Sequence, residues 1–264
     1  MSARRGTGFA VAVATLAMAA TVAVAPGLFT SRDPLHGELA DRLRPPDLRH
    51  PFGTDELGRD VLARVLHGAG LSLTAVVIAV GTALVVGVLV GVVAGSGPRR
   101  LDDVLMRGVE VVLAVPSLLL VLSLVAVLGP GTVNIALAVG LTSAAGFARV
   151  MRTEAVRVRR LDYVDAARSS GTRRAAVITR HVLPNSVRPV LALATVELGN
   201  AVLTVAALGY LGYGNPPPTP EWGSLIAAGQ DYLASAWWLT VLPGLAVVAV
   251  VVAANHIGHH LRER

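Results

Sequence analysis

The 264 residues include no cysteine and, although 23 of them are basic, no lysine. The first absence excludes disulfides, thiol catalysis and cysteine-based metal sites. The second removes the residue that a G-x-x-x-x-G-K-[ST] loop uses to hold nucleotide phosphates. The chain is therefore not expected to bind and hydrolyse ATP by that route. No catalytic residue, metal ligand or cofactor is assigned to it. Charge of either sign is also scarce: 15% of residues are charged, against about a quarter in soluble domains.

What fills the sequence instead is apolar, at 53% hydrophobic residues and a mean hydropathy of +0.63. A membrane-spanning helix needs about 20 mostly apolar residues. Runs 9–29, 73–95, 111–128 and 236–254 carry no charge, and run 189–208 carries only Glu197. Run 133–148 is shorter and rich in Gly and Ala, with Asn134 near its start. Counting it gives an all-α polytopic membrane protein with about six transmembrane helices and both termini on one side.

Arginine is retained on the cytoplasmic side of membrane proteins. Under the six-span reading, the termini and the 96–110 and 149–188 connections hold 17 arginines, among them Arg262 and Arg264. The opposite side holds six, all in 30–71 and offset by seven acids. Both termini are thus expected in the cytoplasm, and the chain in the cell (inner or plasma) membrane. Arg4 and Arg5 ahead of an apolar run and Ala23-Val24-Ala25 also fit a cleaved signal peptide. The run is long for that role and Pro26 would follow the cleavage point, so 1–29 is read as a cytoplasmic tip and first span. Residues 30–71 form an extracytoplasmic segment, and 72–264 the main transmembrane domain with a cytoplasmic loop at 149–188.

Local patterns refine this. Thr54 is placed as a helix cap with Asp55 and Glu56 in the first turn. Leu57, Val61, Leu62, Val65 and Leu66 form a stripe at helical spacing. A short amphipathic helix ending at His67-Gly68 is expected there, on the outer membrane surface or feeding the second span. Gly87, Gly91 and Gly95, four apart, suit close approach of a neighbouring helix. Glu110 is placed to pair with Arg107 on the third span.

The loop at 149–188 reads as two short basic helices. Val158, Leu161, Val164 and Ala167 recur at three, Gly171 ends the first helix, Thr172 caps the second and Pro184 terminates it. Its chemistry suits an anionic leaflet, a solvated face, or docking in a groove of another protein.

Here the sequence resembles a known family. Asp165-Ala166-Ala167, Gly171 and Leu183-Pro184 are similar to the "EAA" loop of ABC-importer permeases, with Asp165 in place of Glu and His181 in place of Ile. The His181-x-Leu183-Pro184-Asn185 ending resembles the dipeptide, oligopeptide and nickel branch. So do Gly53-Thr54-Asp55-x-x-Gly58-Arg59-Asp60, Leu211 to Gly214 with Pro217 to Gly223, and Trp237-Trp238 through Pro243-Gly244 to Gly258, in collinear order. Tyr210 and Tyr213 depart from the Phe and Leu frequent in that branch. The resemblance implies a permease subunit that forms half of a translocation path. It implies a second homologous permease, two ATPase subunits that hold ATP and Mg, and an extracytoplasmic solute-binding protein. It also implies that Tyr163, Asp165, Ala166, Ala167, Gly171, His181, Leu183 and Pro184 meet the ATPase. Peptides are the cargo implied; nickel or a metal chelate is the rival. Besides the lipid bilayer and these proteins no partner is expected, and no nucleic acid.

Glu197 is costly in hydrocarbon and should face a cavity or a partner. With Asn200 and Thr204 on nearly the same face, it lines a path or bonds to the second permease. His256, His259 and His260 read as a cationic helix end rather than a metal site. Trp222, Tyr232, Trp237 and Trp238 read as an interfacial belt. A stand-alone channel or secondary carrier stays open, but no internal repeat and only one deep charge are visible.

Overall fold

Backbone polar groups in hydrocarbon must bond internally, which leaves helices or closed barrels. The computed structural model describes residues 2–262, and among these there is no strand, only isolated bridges between Gly37 and Arg59 and between Thr54 and Asp60. Arg264 of the charge tally lies outside the described residues. The helices are α1 (Ser2–Val24), α2 (Val61–Ser96), α3 (Arg99–Ala114), α4 (Ser117–Leu128), α5 (Thr132–Arg159), α6 (Asp162–Ser169), α7 (Arg174–Val177), α8 (Leu183–Tyr210), α9 (Trp222–Gly229) and α10 (Trp238–Arg262). Five helical stretches are long and apolar enough to span: within α1, α2, α5, the run from α7 through α8, and α10. The bent pair α3–α4 is the sixth.

The expected third span, 111–128, is not one helix. Pro116 has no N–H to donate and holds Val115 extended, at φ −86° and ψ 135°. The chain turns by 99° between α3 and α4. At 1.5 Å per residue, α4 is about 18 Å long and does not cross the hydrocarbon core by itself.

The first turn of α2 also differs from expectation. Asp60, not Thr54, is the cap, and its Oδ1 accepts the Ala63 N–H at 2.8 Å. Residues 54–60 form a tight buried turn instead, because Asp55 Oδ1 accepts the N–H groups of Leu57 and Arg59, both at 2.9 Å. Gly58 adopts φ +74° against the Glu38 carbonyl, where a Cβ has no room. Arg59 Nε donates to Asp55 Oδ2 at 2.7 Å, and Arg32 donates to Asp60 at 2.6 Å. These bonds knit 30–60 into a cap on α2. From Val61 the helix continues past His67 and Gly68 without a stop, so the amphipathic stripe is its first turns and not a separate helix. Beyond it, Asp47 Oδ1 accepts the N–H of His50 at 2.5 Å and that of Arg49 at 2.8 Å. Backbone donation, first from His50, holds that carboxyl below its ordinary range.

The glycine stripe packs on α5. A Cβ at Gly87 would stand 2.3 Å from Phe147 Cβ, one at Gly91 2.6 Å from both Ala148 O and Met151 Cβ, and one at Gly95 2.8 Å from Ala155 Cβ. Phe147, Ile135 and Met151 are fully buried along this seam. Trp222 and Trp238 are core posts rather than belt residues: Trp222 Nε1 donates to Val65 O at 3.0 Å and Trp238 Nε1 to Thr54 O at 3.2 Å. Trp237 is half exposed, as a belt residue would be. His260 stacks on Phe9 with ring centroids 4.7 Å apart, joining α10 to α1.

Replacing Gly91 by Leu forces side-chain atoms into the Ala148 carbonyl and Met151. The expected cost is about 1–3 kcal/mol or more, read as loss of monodisperse protein on detergent size-exclusion chromatography. Gly81→Ala, which meets nothing within 4 Å, should match the parent.

Candidate functional site

The break between α3 and α4 opens a cavity of about 710 Å³ walled by α3, α4, α5 and α8. Glu197, Asn200 and Thr204 of α8 all line it, facing Thr142, Ser143 and Gly146 of α5 and Val112 to Ser117 at the bend. The expected polar stripe therefore does face one space. Ser143 Oγ donates to Glu197 Oε1 at 2.5 Å, and Asn200 Nδ2 lies 3.4 Å from Oε2. Ser143 lies 11 residues from the start of α5, about 16 Å along the helix, which sets Glu197 at mid-membrane depth. Ser117, Asn200 and Leu203 are exposed, so the cavity opens on the subunit surface.

Toward the Arg-rich end a second cavity of about 660 Å³ lies between the same two helices, α3 and α5. Asp103, Arg107, Glu110, Arg149 and Arg152 line it. The expected Glu110–Arg107 pair is absent among the described residues. The ion pair here joins helices instead: Arg152 Nε and Nη2 donate to Asp102 at 3.0 and 2.7 Å. A guanidinium reaching from α5 makes a two-pronged bond that a neighbour on the same helix does not offer.

At the opposite end, Glu221 is completely buried, and the only sequence signal for it is its place in the family-like stretch Pro217 to Gly223. It reads as a loop acid after a run of prolines. Its Oε2 accepts from Thr132 Oγ1 at 2.9 Å and from the Asn215 N–H at 3.2 Å, while Oε1 has no hydrogen-bond partner. A Cβ at Gly214 would stand 2.5 Å from Oε2, so the glycine admits the carboxyl. Glu221 thus ties the start of α5 to the connection between α8 and α9.

The 149–188 loop is built on α6 and α7. Val164 and Val177 are buried with Ala155, Val158 and Val182, and hold the loop against α5. Gly171 takes φ +79° and has open space around it. Tyr163 packs edge-on against His181, centroids 6.0 Å apart. Asp165, Ala166, Gly171 and Pro184 are exposed, as is Tyr163 at 44%. Ala167, His181 and Leu183 are half-buried. Five of the eight residues are thus exposed and three half-buried, and among them Tyr163 and His181 touch between α6 and the π-turn. Arg159 donates to Gly95 O at 2.5 Å and Arg174 to Ser96 O, so two cations meet the carbonyl end of α2, where the helix dipole favours them.

Two expectations for the loop fail. Thr172 is not a cap: α7 starts at Arg174 behind Arg173, with no side-chain bond. Pro184 does not end the helix, because residues Ile178–Val182 form a π-turn in which Leu183 N–H reaches Ile178 O. The widened turn makes room for the ring, and the helix runs on from Arg174 to Tyr210.

These features define an α-helical, multi-pass membrane protein with a polar cavity among its spans and a knob of short helices at its Arg-rich end. Residues 87–264 match the family model described as "Binding-protein-dependent transport system inner membrane component". The chain belongs to that family, and is the permease subunit of an ABC importer in the inner membrane. Membership implies ATPase and substrate-binding partners. Among curated relatives, it is 42% identical to the di/tripeptide transport system permease protein DppC of Pseudomonas aeruginosa, over 81% of this chain and 71% of that protein. It is 37% identical to the probable D,D-dipeptide transport system permease protein DdpC of Escherichia coli K12, over 96% and 84%. Among solved structures, the MetNI methionine ABC transporter in an inward-facing conformation shares the fold, with TM-score 0.61, 16% identity and coverage of 76% of this chain and 95% of that one.

Removing the Glu221 side chain strands the Thr132 hydroxyl and opens a void. Glu221→Ala should lower stability by about 1–3 kcal/mol, seen as a drop in the melting midpoint of purified protein, with Glu221→Gln closer to the parent.

Proposed function

We propose that this chain forms half of the translocation path for peptides, in a complex with a second homologous permease, two ATPase subunits and an extracytoplasmic solute-binding protein. The observation that carries this is the cavity at the α3–α4 break, where Glu197, Asn200 and Thr204 converge with Ser143. Its opening on the subunit surface suits completion by a second permease. The names of the relatives, which are peptide permeases, support peptide cargo. A nickel or metal-chelate cargo, suggested by Glu197 together with a His-rich C-terminus, gains nothing from the geometry: His260 and His256 face Phe9 and Gly8 of α1.

The Arg-rich end is the cytoplasmic side in this reading. The surface bearing Tyr163, Asp165, Ala166, Ala167, Gly171, His181, Leu183 and Pro184 receives the ATPase. ATP and Mg belong to that partner, and this chain holds no cofactor. Alternating access then arises when ATPase closure displaces α6 and α7, and the spans shift between two packings.

Gly171→Asp tests the coupling surface, since any side chain is strained at φ +79°. The variant should assemble in the membrane with normal yield, yet lose ATPase copurification from a tagged subunit and lower uptake at least tenfold, an order of magnitude set by about 1.4 kcal/mol of lost coupling. Normal uptake would remove the loop from the coupling route. A tagged chain that purifies alone and moves solute in liposomes without ATP would replace the whole reading with a channel or carrier.

A further inference from the structure

We infer that Glu197 is a mid-membrane site for the primary ammonium group of the cargo. This rests on the reading of the cavity as the translocation path.

Glu197 is the one charged residue among those lining the 710 Å³ cavity; the others are apolar or neutral and polar. Among the described residues no Arg or His forms an ion pair with it. Ser143 supplies one good hydrogen bond and Asn200 a long one, at 2.5 and 3.4 Å. A carboxylate has about four acceptor positions, so part of its capacity faces the cavity. An anion with so little compensation at that depth is costly. The cost falls when a cation arrives with the cargo, and an ammonium, a compact three-donor group, fits the remaining acceptors.

The arrangement of the other charges agrees. Arg149 stands seven residues beyond Thr142 on the same face of α5, about 10 Å toward the Arg-rich end. It lines the second cavity with Arg107. A dipeptide spans about 7 Å between its charged ends when extended. Held by its ammonium at Glu197, it presents its carboxylate toward these guanidinium groups. The second cavity also carries Asp103 and Glu110, so the guanidinium groups of Arg107 and Arg149 are its cationic part and the ones a peptide carboxylate would meet. A binding protein selects the cargo outside; Glu197 acts inside, as the point where the ammonium leaves water.

The test uses the complete transporter in proteoliposomes, with uptake of labelled alanyl-alanine and ATP hydrolysis measured together. Glu197→Gln keeps the shape and removes the charge. It should lower uptake per ATP at least tenfold while ATPase stimulation by the loaded binding protein persists. Propionyl-alanine, which lacks the ammonium, is supplied at the concentration giving equal ATPase stimulation. Parent and Glu197→Gln should carry it at equal rates, which makes the effect a coupling between one side chain and one cargo group. If the variant carries alanyl-alanine as well as the parent does, or loses both cargoes equally, the ammonium site is wrong. It is equally wrong if Glu197→Gln releases the second permease, because Glu197 is then an intersubunit contact. Asn200→Trp separates the two claims. Blocked uptake of both cargoes keeps the path even where the ammonium site fails, and uptake at the parent's rate removes the path itself.

Discussion

The close contact between α2 and α5 is the constraint on which the rest of the fold depends. In hydrocarbon no hydrophobic effect drives helices together, so packing must do it, and small residues permit the backbones to approach. Gly87, Gly91 and Gly95 meet Phe147, Ala148, Met151 and Ala155 along two turns of α2, and Gly140 of α5 answers with contact to Ala79 and Thr82. Fixing α5 in this way places Ser143 opposite Glu197 and directs the end of α5 toward the knob of short helices. It also leaves α3 and α4 as a broken arm held to α5 chiefly by the Arg152–Asp102 bond at one end and by Val121 and Val125 at the other.

Charge is used sparingly and almost always at a boundary. The carbonyl end of α2 is closed by Arg159 and Arg174, and its first turn by Asp60 under Arg32. At both ends the helix dipole is met by the sign it favours. Glu197 and Glu221 stand apart, since neither is in an ion pair among the described residues. Glu221 is fully enclosed and bonded both to the start of α5 and to the α8–α9 connection, a strut. Glu197 stands on an open cavity wall and keeps acceptors to spare.

The spans were legible because hydrocarbon leaves one choice of backbone structure for a long apolar run. The stripe Glu197, Asn200, Thr204 was legible because spacing on one helix fixes a face. Contacts between helices were not: nothing in the order of residues says that Ser143 answers Glu197, or that Asp102 rather than Glu110 pairs with an arginine. Local chemistry misled where two uses of one residue compete. Thr54 followed by acids looks like a cap, yet Asp55 turns back on its own backbone and passes that role to Asp60. Pro116 in an apolar run was absorbed into a span, while the proline at 184 was read as a stop that a π-turn overrides.

That overridden stop has a mechanical consequence. Arg174 at the knob of short helices and Glu197 in the cavity sit on one continuous helical run that includes the π-turn, about 35 Å apart at 1.5 Å per residue. If the run tilts as one lever, a swing of about 10° at the knob sweeps the far carboxylate sideways by ~6 Å, roughly the distance between neighbouring turns. In the proposed coupling, movement of the short-helix knob reaches the cavity along this one helix, with no relay of side chains between the two ends.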